Sequence, residues 1–412
     1  MIVRKSYLSH LLAFKDKKEI KVITGVRRCG KSTLLTALKQ RLLESGISEG
    51  RIICLNFESA RYKALKTRST LHAYLTDKMG APGETDKFYL LLDEIQWVTG
   101  WEEALTLLRE SYAVDIYITS SGTHVPVERS TFLGGAFVHI KMHPLSFKEY
   151  LQFNPIDSAN FTESRDTLLE RKFLDEFLIF GAMPPIAGKN MAADALETTL
   201  IDIFDAAMAR DVIERNTVRD AALLRSVVEF LAENIGNTFS SKKISDHLST
   251  GEKKTTSETI DNYLTMLEDA FLFHGVKRYD IKNKQHLKTL GKFYMTDMGM
   301  RNALLGNTVN PAPAPALKNV IYFELLRRYD RVYLGKQGSY EIDFLADSYT
   351  DRKYFQVCPS IPDAAALKQA IKPLESINDN YEKNILTMEK RLPPSVNGIK
   401  VINIIDFLLH HR

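Results

Sequence analysis

Cysteine is scarce. Cys29, Cys54 and Cys358 are the only three in 412 residues, odd in number and far apart. That excludes a disulfide framework and a closed zinc site, and it fits reducing surroundings. Long apolar runs are missing as well: no stretch approaches the roughly 20 apolar residues that a membrane-spanning helix needs. The opening MIVRKSYLSHLLAFKDKKEI is broken by Lys15, Asp16, Lys17 and Lys18, and carries neither a signal core nor a small-residue cleavage site. A cytoplasmic protein without membrane contact is the expectation. Charge of one sign is also lacking, since 55 Lys and Arg against 51 Asp and Glu leave a net charge of +4. The mean charge therefore names no nucleic-acid partner, and any electrostatic argument has to be local.

What is present is ordinary for a globular protein, 44% hydrophobic and 26% charged. The length exceeds a single core and predicts two to three domains. Residues 20 to 141 alternate short apolar runs with helix-period segments, the pattern of a parallel sheet with helices on both faces. The runs are IKVIT (20 to 24), RIICLN (51 to 56), FYLLLDE (88 to 94), DIYITS (115 to 120) and FVHIK (137 to 141). Leu34, Leu35, Leu38, Leu42 and Leu43 recur at helical spacing between the first two, with Gly46 as a stop.

Gly25-Val26-Arg27-Arg28-Cys29-Gly30-Lys31-Ser32 satisfies the phosphate-binding loop pattern, directly after a strand and directly before that leucine-faced helix. Glycines are needed because the backbone must curl around an anion with its N–H groups inward, and the helix N-terminus adds a favourable dipole. Lys31 is placed to reach the β- and γ-phosphates of ATP, the Ser32 hydroxyl to ligate magnesium, and Thr33 completes the binding set. Leu90-Leu91-Leu92-Asp93-Glu94 is an apolar strand ending in two carboxylates. Asp93 would hold the Mg2+ through water and Glu94 would polarise the attacking water, so Glu94 and Lys31 are the catalytic candidates. The strand DIYITSS delivers Thr119, Ser120 and Ser121 to the same edge. Ser121 either senses the γ-phosphate or belongs to a strand-end cap of small hydroxyls.

Beyond residue 165 the text turns helical to about 235, broken by Gly181 and Pro184-Pro185, and suggests a lid or connector. Residues 236 to 295 combine short helices with GVKRYDIKNKQHLK, a basic hairpin, and suggest a winged helix. Thr255 with Glu258 reads as a capping box opening a helix with Ile260, Leu264 and Leu267 on one face. NPAPAPA (310 to 316) reads as a linker that cannot continue a helix, followed by strand candidates VYLG, EIDFLA and KYFQVC. Lys277, Arg278, Lys282, Lys284 and Lys288, with Lys242, Lys243, Lys253 and Lys254, are candidate phosphate contacts, or else a solvated wing for protein contacts. Glu258 and Asp261 at the start of the helix before the hairpin carry the wrong sign for a DNA backbone. His124, His139 and His143 show no metal spacing.

The loop, LLLDEIQ and HPLSFKEYLQF together resemble the AAA-type ATPases in which an ATPase domain is fused to a C-terminal domain of debated function. FLIFGAMPP, ARDVIERN, KFYMTDMGMRNALLG and FELLRRYDRVYLGKQGSYEIDFLA extend the resemblance over nearly the whole chain. It implies an α/β P-loop parallel sheet with DIYITS between the loop strand and the Asp-Glu strand, a winged helix, and a small restriction-endonuclease-like α/β part. The expected division is an ATPase domain at 1–160, a helical lid at 161–235, a winged-helix module at 236–295 and the endonuclease-like part at 296–412.

Departures from the family pattern are informative. Gly135-Ala136-Phe137 stands where an arginine is usual, leaving Arg129 or Arg28 as substitutes, and Ser120-Ser121-Gly122 replaces an asparagine-ended strand. Glu324 and Asp343 match acidic positions of a nuclease site, but Gln356-Val357-Cys358 lacks the carboxylate and lysine, and Lys318 replaces a Glu, which argues against nuclease chemistry. An ATPase acting on nucleic acid or a protein partner is expected, with a nucleotide-gated binding module as the alternative. ATPases of this type often complete their sites across subunits, so a homo-oligomer is a further expectation.

Overall fold

The computed structural model describes residues 3–81, 87–123, 137–154, 163–189, 191–249, 255–306 and 313–410, and gives the backbone alone for 163–168, 288–290 and 313. His124, Arg129, Gly135, Ala136, Lys253, Lys254 and the start of the Pro-Ala stretch lie outside the described residues, as does the side chain of Lys288. The chain divides into two compact units, Met1–Pro144 with Asp269–Phe271, and Leu145–Glu268 with Leu272–Arg412.

The first unit runs α1 (Lys5–Ala13), β1 (Ile20–Thr24), α2 (Lys31–Glu44), β2 (Ile52–Asn56), α3 (Arg68–Met79), β3 (Phe88–Asp93), α4 (Trp101–Ser111), β4 (Val114–Ser120) and β5 (Phe137–Lys141). All five strands are parallel, in the order β2-β3-β4-β1-β5, so β4 lies between β1 and β3. β1 and β3 are buried along their whole length, as strands covered by helices on both faces must be. Their apolar runs follow from that. α2 presents Leu34, Leu35, Leu38 and Leu42 inward and ends at Glu44, with Gly46 at φ 89 just beyond. α3 and α4 close one face through Leu71, Leu75, Trp101, Leu105 and Leu108 against Leu90, Leu92, Ile116 and Ile118.

The second unit begins with α5 (Phe147–Phe153), α6 (Glu163–Phe180), α7 (Ala193–Ala207) and α8 (Ala221–Glu233). It continues through β6 (Thr238–Phe239), α9 (Ser241–Leu248), α10 (Ser257–Asp269), β7 (Phe273–Asp280), β8 (Gln285–Met295), α11 (Met298–Leu304) and α12 (Pro313–Arg328). It ends with β9 (Arg331–Gln337), β10 (Tyr340–Asp347), β11 (Arg352–Val357), α13 (Ala364–Glu375), β12 (Glu382–Thr387), β13 (Ser395–Val396), β14 (Ile399–Asn403) and α14 (Ile404–Leu409). One nine-stranded sheet has the order β13-β14-β12-β11-β10-β9-β7-β8-β6. The basic hairpin β7–β8 is therefore continuous with the terminal strands, because β7 pairs in parallel with β9 from Arg278 to Asp280. The expected break between 295 and 296 crosses a single sheet.

Two local expectations are corrected. The helix-opening cap is Thr256, whose hydroxyl accepts the Thr259 N–H at 3.2 Å, and not Thr255, whose buried hydroxyl has no hydrogen-bond partner among the described residues. α12 starts at Pro313 inside the supposed linker. Proline lacks only an N–H that a first helical turn leaves unpaired, and its fixed φ suits that turn.

Candidate nucleotide site

Six residues, Gly25 to Gly30, connect β1 to α2. A β-carbon at Gly25 would stand 2.1 Å from the Met142 carbonyl oxygen, so no side chain fits there. Arg28 at φ 66 and Gly30 at φ 108 turn the backbone back on itself. Val26 and Cys29 are buried beneath the turn, and burial pushes the Cys29 thiol up. Arg27 pairs with Glu58 at 2.7 Å, while Arg28, Ser32 and Thr33 are exposed. α2 opens with no side-chain cap and no acidic residue in its first turn. The positive end of its dipole is thus presented to an anion without a carboxylate from the helix's own first turn.

β3 brings the acidic pair to the same edge. Asp93 accepts from the Thr119 hydroxyl at 2.5 Å and the Asn56 amide at 2.9 Å, and Ser32 adds a third hydrogen bond. Burial raises the Asp93 carboxyl above its usual range; Thr119 and Ser32 oppose this, and the charge of Glu94 adds to it. Glu94 adopts φ 56, and its N–H donates to the Thr119 hydroxyl oxygen at 2.9 Å. Burial would raise Glu94 too, but Lys31, Gln96, Arg27 and Ser121 together outweigh it and hold the carboxyl below its usual range. Lys31 lies 3.5 Å from Glu94 and donates to the carbonyls of Gly25 at 2.9 Å and Val26 at 3.3 Å. Ser121 is fully buried and accepts from the Gln96 amide at 3.3 Å, whereas Ser120 bonds locally to the Gly122 carbonyl.

This donor set fits magnesium with a nucleotide. Among the described residues no group of three or more His, Cys, Asp or Glu gathers to hold an ion by itself. Magnesium characteristically takes one or two protein ligands and completes its shell with water and phosphate oxygens, which a hydroxyl at Ser32 and a carboxylate at Asp93 allow.

Several contributors carry no local signature. Asn56 ends β2 and meets Asp93 because the two residues are register partners in neighbouring strands. Arg4, 6% exposed ahead of α1, donates to the carbonyls of Cys29 at 3.2 Å, His143 at 2.6 Å and Pro144 at 3.2 Å, tying the loop to the segment after β5. Gln96 bridges Glu94 and Ser121. The hydrophobic strand ending in a polar residue was the one available hint for Asn56.

The remaining candidates lie in the second unit. Lys242, Lys243, Lys277, Lys282 and Lys284 are exposed, and Arg278 is half-buried with its Nε unpaired among the described residues. Glu324 is fully buried and accepts from Arg327 at 3.3 Å and Arg328 at 2.8 Å. Asp343 pairs with Lys318 at 2.5 Å and accepts the Val357 N–H at 2.9 Å. Cations of the chain therefore occupy both carboxylates. His139 shares a hydrogen bond with Thr24 at 2.6 Å, and burial, then Lys141, lowers its pKa to about 4. Among the described residues no helix is long and apolar enough to cross a membrane.

An AAA-domain family description matches residues 17–151, and one for a domain of unknown function matches residues 171–310. An uncharacterised protein of Haemophilus influenzae is 39% identical over 411 residues, covering 99% of both chains. One of Methanocaldococcus jannaschii is 30% identical over 383 residues, 90% of this chain and 82% of that one. Among solved structures, the Aeropyrum pernix ORC1 protein in complex with DNA matches 74% of this chain and 92% of its own at 13% identity, with a TM-score of 0.33. By its AAA domain and by this full-length relationship to uncharacterised proteins, the chain belongs to the AAA-type P-loop ATPase family, with a domain of unknown function following the ATPase domain.

Proposed function

We propose that this protein binds ATP with magnesium at the β1–α2 loop and hydrolyses it. The observation that carries this is the convergence of Lys31, Asp93, Glu94 and Thr119 at one sheet edge against the uncapped start of α2. Backbone N–H groups of the loop and the Lys31 ammonium hold the phosphates; Ser32 and Asp93 hold the metal; Glu94, kept ionised beside Lys31, takes the proton of the attacking water. Bound magnesium neutralises phosphate charge and so favours attack. Thr119 fixes the direction of both carboxylate residues, and Ser121, through Gln96, is placed to report on that water.

The second unit is the effector in this proposal. The run α8, β6, α9, α10, β7, β8 follows the order of a winged helix, and its exposed lysines suit nucleic acid; a protein partner and self-assembly are the other branches. The cytoplasm is the proposed location. A slower, nucleotide-gated binding module is the second reading, favoured by Ala136 and Gly122 at positions where the family pattern has polar groups. An arginine supplied at such a site is worth on the order of a thousandfold in turnover.

Phosphate release by the purified protein, compared with Lys31→Ala and Glu94→Gln, tests the proposal. Wild type should turn over ATP, Lys31→Ala should lose nucleotide binding, and Glu94→Gln should bind but release little. Binding without release above the Lys31→Ala level, with or without DNA or RNA, would replace hydrolysis by the gated module.

A further inference from the structure

The nine-stranded sheet of the second unit carries a row of rings that ATP hydrolysis does not use. Tyr279 of β7 and His286 of β8 are register partners with ring centroids 5.2 Å apart. His286 lies 4.9 Å from Tyr333 of β9, and Tyr333 lies 6.0 Å from Tyr279 with the rings inclined at 32°. The Arg352 guanidinium of β11 sits 5.1 Å over Tyr279 and 5.6 Å over Tyr381, which precedes β12. Arg352 is held in plane by two hydrogen bonds to Asp347, at 2.6 and 2.8 Å. Tyr279 and Tyr333 pack at the margin of the core formed by Ile281, Ile342, Leu345 and Tyr354. That packing anchors the inner rings, while His286 is exposed and Tyr381 is 48% exposed. The row runs from His286 of β8 through Tyr279 and Arg352 to Tyr381 ahead of β12, in successive steps of 5.2, 5.1 and 5.6 Å.

Charge around the rings is asymmetric. Arg331, Lys282 and Lys284 are exposed beside them. The carboxylates around the rings each have a partner in the chain: Asp347 in Arg352, Asp379 in the Tyr354 hydroxyl at 2.6 Å, Glu382 in Lys353 and Lys400, Asp280 in the backbone and side-chain amides of Asn283, and the exposed Asp330 and Asp351 in the Tyr349 N–H at 3.2 Å and in Lys353 at 3.6 Å. A saccharide would need spare carboxylate or amide oxygens for its hydroxyls, and a basic peptide would need unpaired acids. Flat rings, a planar cation and unspent positive charge at the rim suit unpaired bases joined by phosphates.

We propose that this surface binds single-stranded nucleic acid, stacking bases on the exposed rings of His286 and Tyr381, which Tyr279, Tyr333 and Arg352 support from the core side, while Arg331, Lys282 and Lys284 take phosphates. It deepens the nucleic-acid branch of the proposed function and is independent of ATP turnover. Bases inside a duplex are already stacked on one another and cannot reach the rings, so strand preference follows.

The test is fluorescence anisotropy of a labelled oligo(dT) with the full-length protein at low salt, without nucleotide. Wild type should bind the single strand in preference to a duplex of equal length. His286→Ala and Tyr381→Ala, both at exposed positions, should each weaken binding by at least about fivefold, with thermal unfolding unchanged. Arg331→Ala should flatten the salt dependence, and Lys31→Ala should bind the oligonucleotide like wild type even where it abolishes phosphate release. No binding to oligo(dT) at low salt, equal binding of the duplex, or wild-type affinity in the His286→Ala, Tyr381→Ala double variant would each overturn the proposal.

Discussion

Thr119 donates its hydroxyl proton to Asp93 Oδ1 at 2.5 Å, from the end of one strand to the end of its neighbour. The Thr119 hydroxyl oxygen in turn accepts the Glu94 N–H at 2.9 Å. A single side chain thus orients both members of the acidic pair, from the strand that lies between them and the strand leading into the loop.

Thr119→Val keeps the shape and removes both bonds. It leaves a buried N–H and a buried carboxylate each short of a partner, which should lower stability by about 1–3 kcal/mol in urea unfolding. It should also raise the magnesium concentration needed for nucleotide binding, because Asp93 loses a bond that favours its ionised form. Thr119→Ser should restore both properties.

The opposite end of the sheet holds a second buried arrangement. Lys21 and Asp115 are each fully buried as side chains and meet at 2.5 Å; the Tyr117 hydroxyl at 3.0 Å and the Asp16 N–H at 2.8 Å both donate to Asp115. Burial lowers the Lys21 pKa while Asp115 opposes the shift. Asp115→Ala strands the ammonium and should cost about 3–5 kcal/mol. Lys21→Met with Asp115→Leu should be more stable than Asp115→Ala alone. Urea midpoints check both, and nucleotide affinity of the folded protein should be unchanged in either, since neither residue approaches the β1–α2 loop.

A pH-dependent contribution to stability is expected at Asp297. It accepts from the N–H of Ala182 at 2.6 Å and of Met300 at 3.0 Å, and burial raises its pKa from 3.8 to about 6 against those bonds. Below about pH 4 both the folded and unfolded forms are protonated and the contribution is complete. Between about pH 4 and 6 the unfolded form ionises first, so unfolding becomes easier as pH rises, and above pH 6 the loss levels off. Across that window the stability of wild type relative to Asp297→Asn should fall by on the order of 2 kcal/mol, measured as urea midpoints at each pH. Gly181→Ala should be severely destabilising at any pH, since its β-carbon would stand 2.2 Å from Asp297 Oδ1.

The strands of the first unit were readable because burial on both faces demands continuous apolar runs, and β1, β3 and β4 obey. The loop was readable because its glycines, lysine and serine must stand at fixed offsets. Asn56 and Arg4 were not. Asn56 meets Asp93 across thirty-seven positions of sequence and Arg4 meets His143 across 139, and no local period encodes such a meeting. The hairpin β7–β8 was expected as a separate wing because parallel pairing with β9 leaves no pattern in either segment.

Residue chemistry along the chain was sufficient for the nucleotide loop, the acidic pair and the α/β class, since each depends on short-range spacing and burial. The place of β4 between β1 and β3 followed from the family resemblance, but the residue-by-residue register of the strands came only with the fold. It set Thr119 and Asn56 as the partners of Asp93, assigned Lys21 to Asp115, and carried Tyr279, His286, Tyr333 and Arg352 onto one surface. The reason is physical: backbone pairing is between strands distant in sequence, and side chains become neighbours through register that no single strand contains.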